Sequence, residues 1–437
     1  MSEANELLTN GFPLNSETLP VKVHSFVCDA PAWAFIKGII NHSGYSTCEK
    51  CTVRGEYVGK VIFPSVNDQL RSDVEFLAMS DEDHHLAPSP LRHLPIGLVS
   101  QFGLDYMHLA CLGVMRRFLL YWKGPVGPLS VRLGRSSVIE LSKRFLLLTS
   151  YMPVEFAQKP RAIDDILRWK ATEFRMFLMY AGPLVLHGIL SEPLYNHFML
   201  LFTGLRILLS KHLAPLYCDY ANDLLVKFVK DVGTYYGKKA LVYNVHCLVH
   251  LAEDVKKLGC LDDFSAFVFE NKLGQLKKLV RKPQQPIQKI VRRLNEQHLF
   301  SAGLCSLSLE LIAKYEHSNG PVLPIFPPAI QFKQVQTNKF SLSLSRADNC
   351  IMTAGGIPAL VKNILKCGHN ICLICVSFKN VLDAFNYPLP SSKLSICKVS
   401  AELPDLFTVA VKDVAYECVC WPMVSDVDEL LIMPLLH

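Results

Sequence analysis

The sequence predicts a mixed α/β segment, a large all-helical block set into it, and a small β-rich domain at the end. Three observations carry this. Residues 21–27 are an apolar, β-branched run (Val21, Val23, Phe26, Val27) that reads as a buried strand ending on Asp29; Pro31 then suits the first turn of a helix over 32–40. From about 136 to 262 apolar residues recur at helical spacing almost without interruption. From about 325 to 437 short β-prone segments are separated by Gly, Pro, Ser and Asp.

At 437 residues the chain should hold two or three domains. Half the residues are hydrophobic and 19% are charged, the balance of a core-rich globular protein. A net charge of +6 is modest, so any case for nucleic acid rests on where the charge sits. Residues 1–20 read as a loose leader without the basic start or apolar run of a signal peptide. The mean hydropathy of +0.23 raises the question of a membrane. The most apolar stretches, 176–190 and 198–209, are shorter than the roughly twenty residues a span needs and contain Pro183, His187 and Arg206. Buried core helices are expected instead, with no membrane partner. Fifteen cysteines without a secretory signal point to a reducing compartment, with free thiols or metal ligands rather than disulfides.

In chain order, the strand and helix of 21–40 lead to Cys48-Glu-Lys-Cys51, a Cys-x-x-Cys turn of the zinc-knuckle kind. A short strand is expected over 60–63, then a loop-rich stretch over 64–100. Asp105 and His108 stand three apart at the start of an apolar helix and share a face. Asp105 is either a helix cap beside a core histidine or half of a working pair. The Gly/Pro-rich break at 123–128 closes a first segment, 21–135. The block 136–262 follows, with helices over about 136–149, 162–180, 183–191, 193–212, 219–236 and 240–258. The last carries His246 and His250, which face the same way at i and i+4 and can bite one metal, or are two buried helix histidines. It lacks the His-Glu pairing of a zinc-protease helix.

Residues 263–300 return with Glu270 and two helices broken by Pro283 and Pro286. From 271 to 295 they carry Lys272, Lys277, Lys278, Arg281, Lys282, Lys289, Arg292 and Arg293 and no acid. Such a run is either a solvated face or a row of phosphate contacts. In the tail, β-prone segments are expected at 340–344, 361–365, 371–378, 394–399, 407–411 and 416–421. The cluster Cys367-Gly-His369-Asn-Ile-Cys372-Leu-Ile-Cys375 superficially suggests part of a RING finger. With one ligand group where two are needed, it reads better as an apolar strand with incidental cysteines.

Neither Cys48/Cys51 nor His246/His250 completes a tetrahedral zinc site alone, and together they do. A zinc joining the two ends of the helical block would draw Glu270 back towards Asp29. Converging carboxylates hold divalent metal for in-line phosphoryl transfer.

The order Asp, Cys-x-x-Cys, Asp-x-x-His, helical insertion, His-x-x-x-His and Glu resembles the DDE transposases that carry an RNase H-like core with an all-helical insertion. The phrases Phe26-Val-Cys-Asp-Ala-Pro-Ala, Gly44-Tyr-Ser-Thr-Cys-Glu-Lys-Cys, Leu104-Asp-Tyr-Met-His, Arg168-Trp-Lys-Ala-Thr-Glu-Phe-Arg and Phe264-Ser-Ala-Phe-Val-Phe-Glu-Asn resemble the CACTA (En/Spm-like) transposase-derived proteins. The resemblance covers about 20–300 and, more weakly, the tail. It implies a partial RNase H-like core, with Asp29 as the second catalytic aspartate and Glu270 as the catalytic glutamate. It further implies Asp105 and His108 near the scissile phosphate, structural zinc on Cys48, Cys51, His246 and His250, and catalytic magnesium. Double-stranded DNA as partner, a homodimer and a nuclear location follow from the same resemblance. The chain departs from that pattern in one respect: residues 1–28 contain no aspartate to serve as the first catalytic carboxylate. A catalytically incomplete transposase derivative is therefore expected, or else a non-enzymatic, zinc-stabilised module that binds DNA or protein.

Overall fold

A computed structural model describes residues 2–124, 126–280, 284–302, 311–324, 329–338, 340–368, 370–424 and 428–436. The chain divides into two compact units, one made of 1–143 and 161–268, the other of 144–160 and 269–437. The all-helical block is thus not a body of its own: most of it shares a unit with the segment that carries Asp29.

In the first unit the leader is ordered locally, as a helix Ser2–Asn10 and a small hairpin of β1 (Phe12–Leu14) with β2 (Glu17–Leu19). The strand expected over 21–27 does not form. A strand exists through its ladder, and this segment has single tethers instead: Phe26 N–H donates to Gln101 O at 2.8 Å, and His24 Nε2 meets Leu258 O at 2.9 Å. Phe26 also stacks on Phe102, with centroids 4.6 Å apart. Among the described residues of this unit the only further strands are the two-residue β3 (Glu56–Tyr57) and β4 (Val61–Ile62), which pair where a single strand over 60–63 is expected. The sheet of an RNase H-like core is not formed by the described residues.

The helix after Asp29 runs from Ala30 to Lys37 and stops at Gly38, whose φ of 68° is left-handed. A Cβ there would lie 2.2 Å from Ala87 O, so both conformation and space require glycine. The helical block departs from its expected divisions in its first half. Ile163–Arg168 is only a 3₁₀ turn, and a helix over 171–185 runs through the break expected between 180 and 183, replacing the helices of 162–180 and 183–191. Glu192–Leu209 and Ala214–Tyr236 are its longest members. Gly204 lets these two approach, since a Cβ there would sit 3.0 Å from Leu225 Cγ. Phe118, Trp122, Phe177, Phe198, Phe202 and Phe228 are buried around them. Among the described residues no helix is long and apolar enough to cross a membrane.

The second unit is β-rich from Ile312, earlier than the boundary of 325 that composition suggests. Its strands are β5 (Ile312–His317), β6 (Ile330–Gln336), β7 (Ser341–Ser343), β8 (Cys350–Thr353), β9 (Pro358–Cys367), β10 (Asn370–Leu382), β11 (Cys397–Ala410), β12 (Val414–Pro422) and β13 (Glu429–Pro434). Six of them close an antiparallel barrel in the order β8–β9–β10–β11–β13–β12 and back to β8. Closure removes the exposed edges that a sheet this long would otherwise carry. Residues alternate across the wall: Cys350, Met352, Val376, Val399, Cys418, Cys420 and Ile432 pack into one cluster, and Ile351 belongs to another. The expected segments 394–399 and 407–411 merge in one long strand, β11, which begins only at Cys397, after a 3₁₀ turn over Ser391–Leu394, and ends at Ala410. Cys367 ends β9, and Cys372 and Cys375 lie in β10, so the cysteines are strand residues; His369 lies outside the described residues. Tyr151 O accepts from Trp421 Nε1 at 3.0 Å, so the 144–160 excursion packs on the barrel.

Candidate metal centre

The Cys-x-x-Cys turn is buried and held from outside by one arginine. Arg71 Nε donates to Cys48 O and Cys51 O, each at 3.0 Å, and its Nη2 reaches Asp81 at 2.7 Å. Facing it is a helical run of Tyr243–His246, a tighter 3₁₀ turn Cys247–His250, and Leu251–Leu258. The sequence expects one uninterrupted helix there, and the tightening falls on the stretch that ends at the second histidine.

All four expected ligands come together, with their ligand atoms within 4.8 Å of one another and all four residues buried. Cys48 Sγ lies 3.5 Å from His250 Nε2, Cys51 Sγ 3.3 Å from His246 Nε2, and the two Nε2 atoms 3.3 Å apart. A tetrahedral zinc with Zn–S of about 2.3 Å and Zn–N of about 2.0–2.1 Å requires S···N near about 3.5 Å and N···N near about 3.3 Å. The Cys2His2 group can therefore hold a zinc-like metal with little movement. His246 Nδ1 faces Ser65 O at 3.0 Å, which fixes the tautomer that turns Nε2 to the centre. Burial would raise the Cys48 thiol, but hydrogen bonds with Cys247 and Cys51 and the nearby imidazoles of His250 and His246 outweigh it and hold Cys48 well below the usual thiol range. A hydrogen bond with Cys48, and then burial, push the Cys51 thiol the other way, well above the usual thiol range.

The two residues between the cysteines are buried as well. Lys50 Nζ donates to Asp254 Oδ1 at 2.6 Å, Phe102 O at 2.7 Å and Val99 O at 3.2 Å. Asp254 stands one helical turn after His250, and its other oxygen accepts from Leu104 N at 2.8 Å. Glu49 pairs with Lys37 at 3.2 Å, and Lys37 is enclosed by Trp33, Phe76 and Phe102. Burial pushes the Glu49 carboxyl up to about 7, against the pull of Lys37. Neither Glu49 nor Lys50 stands out in the sequence, where they look like ordinary turn residues.

Asp105 is both cap and partner. Its carboxylate accepts from His108 N at 3.1 Å, Met107 N at 3.3 Å and Ala266 N at 2.8 Å, and it meets His108 Nδ1 at 2.6 Å. Beside it Tyr106 Oη donates to Asp262 at 2.6 Å, and Arg175 bridges Tyr106 Oη (2.7 Å) and Asp262 (3.0 Å). Three stretches distant in the sequence thus meet in one network. Arg175 and Asp262 escape sequence reading because nothing local marks them as partners.

The acidic positions expected to hold magnesium are placed differently. Asp29 is the N-cap of Ala30–Lys37: its Oδ1 accepts from Ala32 N at 2.9 Å. Glu270 belongs to the other unit, exposed on the helix Phe267–Leu279, which buries none of its residues. Among the described residues, neither of the two side-chain groups close enough to hold an ion includes Asp29, Asp105 or Glu270.

The basic run is divided in its roles. Lys272, Lys277 and Lys278 are exposed with no ion pair among the described residues. Arg292 pairs with Glu296 at 2.9 Å, Arg293 donates to Leu279 O at 2.6 Å, and Lys289 donates to Gln284 O at 2.6 Å. Arg281 and Lys282 lie outside the described residues.

One family model matches the chain: a domain of unknown function, DUF8592, over residues 316–435. That span begins at the end of β5 and takes in the whole barrel. No curated protein and no solved structure matches.

A second charged feature was not expected from the sequence. A hollow of about 930 Å³ in the first unit is lined by Lys60, Arg116, Arg117, Lys238 and Lys239, together with apolar residues such as Leu120 and Tyr121. None of the five cations has a carboxylate partner among the described residues, and Arg117 Nε is buried without an acceptor. Burial, and then the nearby charges of Arg117 and Lys239, lower the Lys60 ammonium. The five come from three separate stretches, so no charge run announces them.

Proposed function

We propose that this is a transposase-derived protein that binds DNA through its phosphate backbone, is clasped by a structural zinc, and is catalytically incomplete. The observation that carries DNA binding is the basic hollow of Lys60, Arg116, Arg117, Lys238 and Lys239, none with a carboxylate partner among the described residues. Clustered cations without counter-charges are what a polyphosphate chain neutralises. The exposed Lys272, Lys277 and Lys278 supply further phosphate contacts on the other unit.

The transposase ancestry rests on the resemblance, supported by its Cys and His positions falling at zinc-binding distances. Incomplete catalysis is supported by Asp29 acting as a helix cap outside any candidate metal group. Where ancestral enzymes use magnesium to activate water and stabilise the leaving oxygen, the chain retains the Asp105–His108 pair, here serving to hold Ala266 and the helix start in place.

The test is fluorescence anisotropy of a labelled duplex with the full chain over a range of salt concentrations. Log Kobs should fall linearly with log salt, with a slope of about −0.9 per phosphate contact. The double variant K238E/K239E should weaken binding and flatten the slope by roughly two contacts. A slope unchanged by that variant, or no binding at low salt, overturns the reading.

A further inference from the structure

We propose that Glu155, Asp348 and Glu417 form a site for a hard divalent cation, best suited to calcium, on the outer wall of the barrel. The three carboxylates come from three separate elements of the second unit: the 144–160 excursion, the turn between β7 and β8, and strand β12. Their ligand atoms lie within 4.8 Å of one another. Two oxygens on opposite sides of a calcium ion, at about 2.4 Å each, stand about 4.8 Å apart, so the group fits one coordination sphere.

A cluster of acids can be no more than a solvated patch. Glu417 argues otherwise. It is 2% exposed, and among the described residues neither of its carboxylate oxygens has a hydrogen-bond partner. A buried carboxylate is expensive unless something neutralises it, and buried polar atoms are almost always partnered. Strand alternation explains how it came to be there: Cys418 and Cys420 point into their apolar cluster, which leaves Glu417, Val419 and Trp421 on the opposite face. The 144–160 excursion covers that face. Val154 N donates to Asp348 Oδ1 at 2.8 Å, and Arg346 lies over the Tyr151 ring at 4.3 Å.

Among the described residues no basic group does the neutralising. Arg346 is held over Tyr151, and Lys333 makes no ion pair with any of the three acids among the described residues. Asp348 is oriented by the hydroxyls of Ser343 (3.2 Å) and Ser345 (2.6 Å) and has lone pairs left for an ion. A hollow of about 500 Å³, lined by Val154, Lys333, Ser343, Ser345 and Asp348, admits solvent beside it, and Glu155 is exposed. An ion can therefore enter and complete its shell with water. All-oxygen ligands favour hard calcium over softer metals.

Without an ion, burial and then the charge of Glu155, with Asp348 adding to it, push the Glu417 carboxyl up to about 9. The folded chain then holds a proton that the unfolded chain releases near 4.5, so stability falls as pH rises from about 4.5 towards 9. A bound cation should flatten that fall.

The experiment uses the full chain with its zinc content verified, freed of other ions on a chelating resin. Calcium, magnesium and manganese chlorides are titrated by calorimetry, and thermal unfolding is followed beside them. Expected are one calcium per chain and a Tm that climbs with calcium concentration. Glu417→Gln should abolish both, with zinc content unchanged. Glu155→Gln, at an exposed position that spares the fold, should weaken calcium at least ten-fold. No calcium uptake by the unmodified chain, or uptake that survives Glu417→Gln, overturns the proposal. Stability that depends on pH but not on any cation overturns it too, since Glu155 and Glu417 would then simply share a proton.

Discussion

Replacing Asp254 by Asn isolates the buried ion pair that sets the Cys-x-x-Cys turn against the histidine helix. Asp254 is the one carboxylate in ion-pair contact with Lys50 among the described residues, at 2.6 Å, with side chains 3% and 7% exposed, and it also satisfies Leu104 N. Asn removes the charge and turns an N–H group towards a donor. Breaking one partner of a buried pair costs about 3–5 kcal/mol, against roughly 0.2–1 kcal/mol for an exposed pair. On a typical stability of about 5–15 kcal/mol that is a large fraction. Urea unfolding should be followed by tryptophan fluorescence at a fixed excess of zinc, so that metal linkage is constant. The double variant K50M/D254L should recover part of the loss, because an apolar pair leaves no orphan charge, although Leu104 N–H and the Phe102 carbonyl then lose their partners. A loss below about 1 kcal/mol for Asp254→Asn would refute the reasoning, since the pair would then be behaving as a solvated one.

Three further outcomes follow from the geometry. Asp29→Ala should cost about 1 kcal/mol, the usual worth of an N-cap, and Asp29→Ser should restore most of it, as measured by urea unfolding. Asp105→Ala should be far more damaging than His108→Ala, because it strands the Ala266, His108 and Met107 amides; about 2–4 kcal/mol is expected, against about 1 kcal/mol or less for the half-exposed histidine. His197 is buried on Phe228 and donates to its carbonyl at 2.9 Å; burial pushes it down to about 4 from 6.5. Its folded pKa is depressed, so its contribution is full above pH 6.5 and is lost as pH falls towards 4. His197→Phe should flatten that part of the stability–pH profile.

The helical block and the β-rich tail are legible in the sequence because each writes a period that only one backbone can use. The four metal ligands are legible for a chemical reason: cysteine and histidine at these spacings point one way and ask for each other. Two kinds of feature escape. The run 21–27 looks like a strand since its side chains suit one, yet pairing is a property of a neighbour, and here Gln101 and Leu258 supply single tethers instead. Asp29 looks like a catalytic carboxylate at a strand end but spends itself on Ala32 N, because an acid just before Ala-Pro-Ala is also an ideal helix cap. Glu417 and the five-cation hollow depend on long-range closure, which brings together residues that have no local signature. Lys50 and Glu49 hide for the opposite reason: charged residues in a turn are read as exposed, and here both are buried against partners on distant elements.

The most direct measurement is metal content with ligand identity. X-ray absorption and elemental analysis of the purified full chain should find one zinc per chain bound by two sulfur and two nitrogen atoms. Cys48→Ser or His250→Ala should lose it together with the fold of the first unit, since such metal binding is coupled to folding. Zinc that survives both substitutions, or a shell without the two sulfurs, would contradict the clasp between the Cys48–Cys51 turn and the His246–His250 helix.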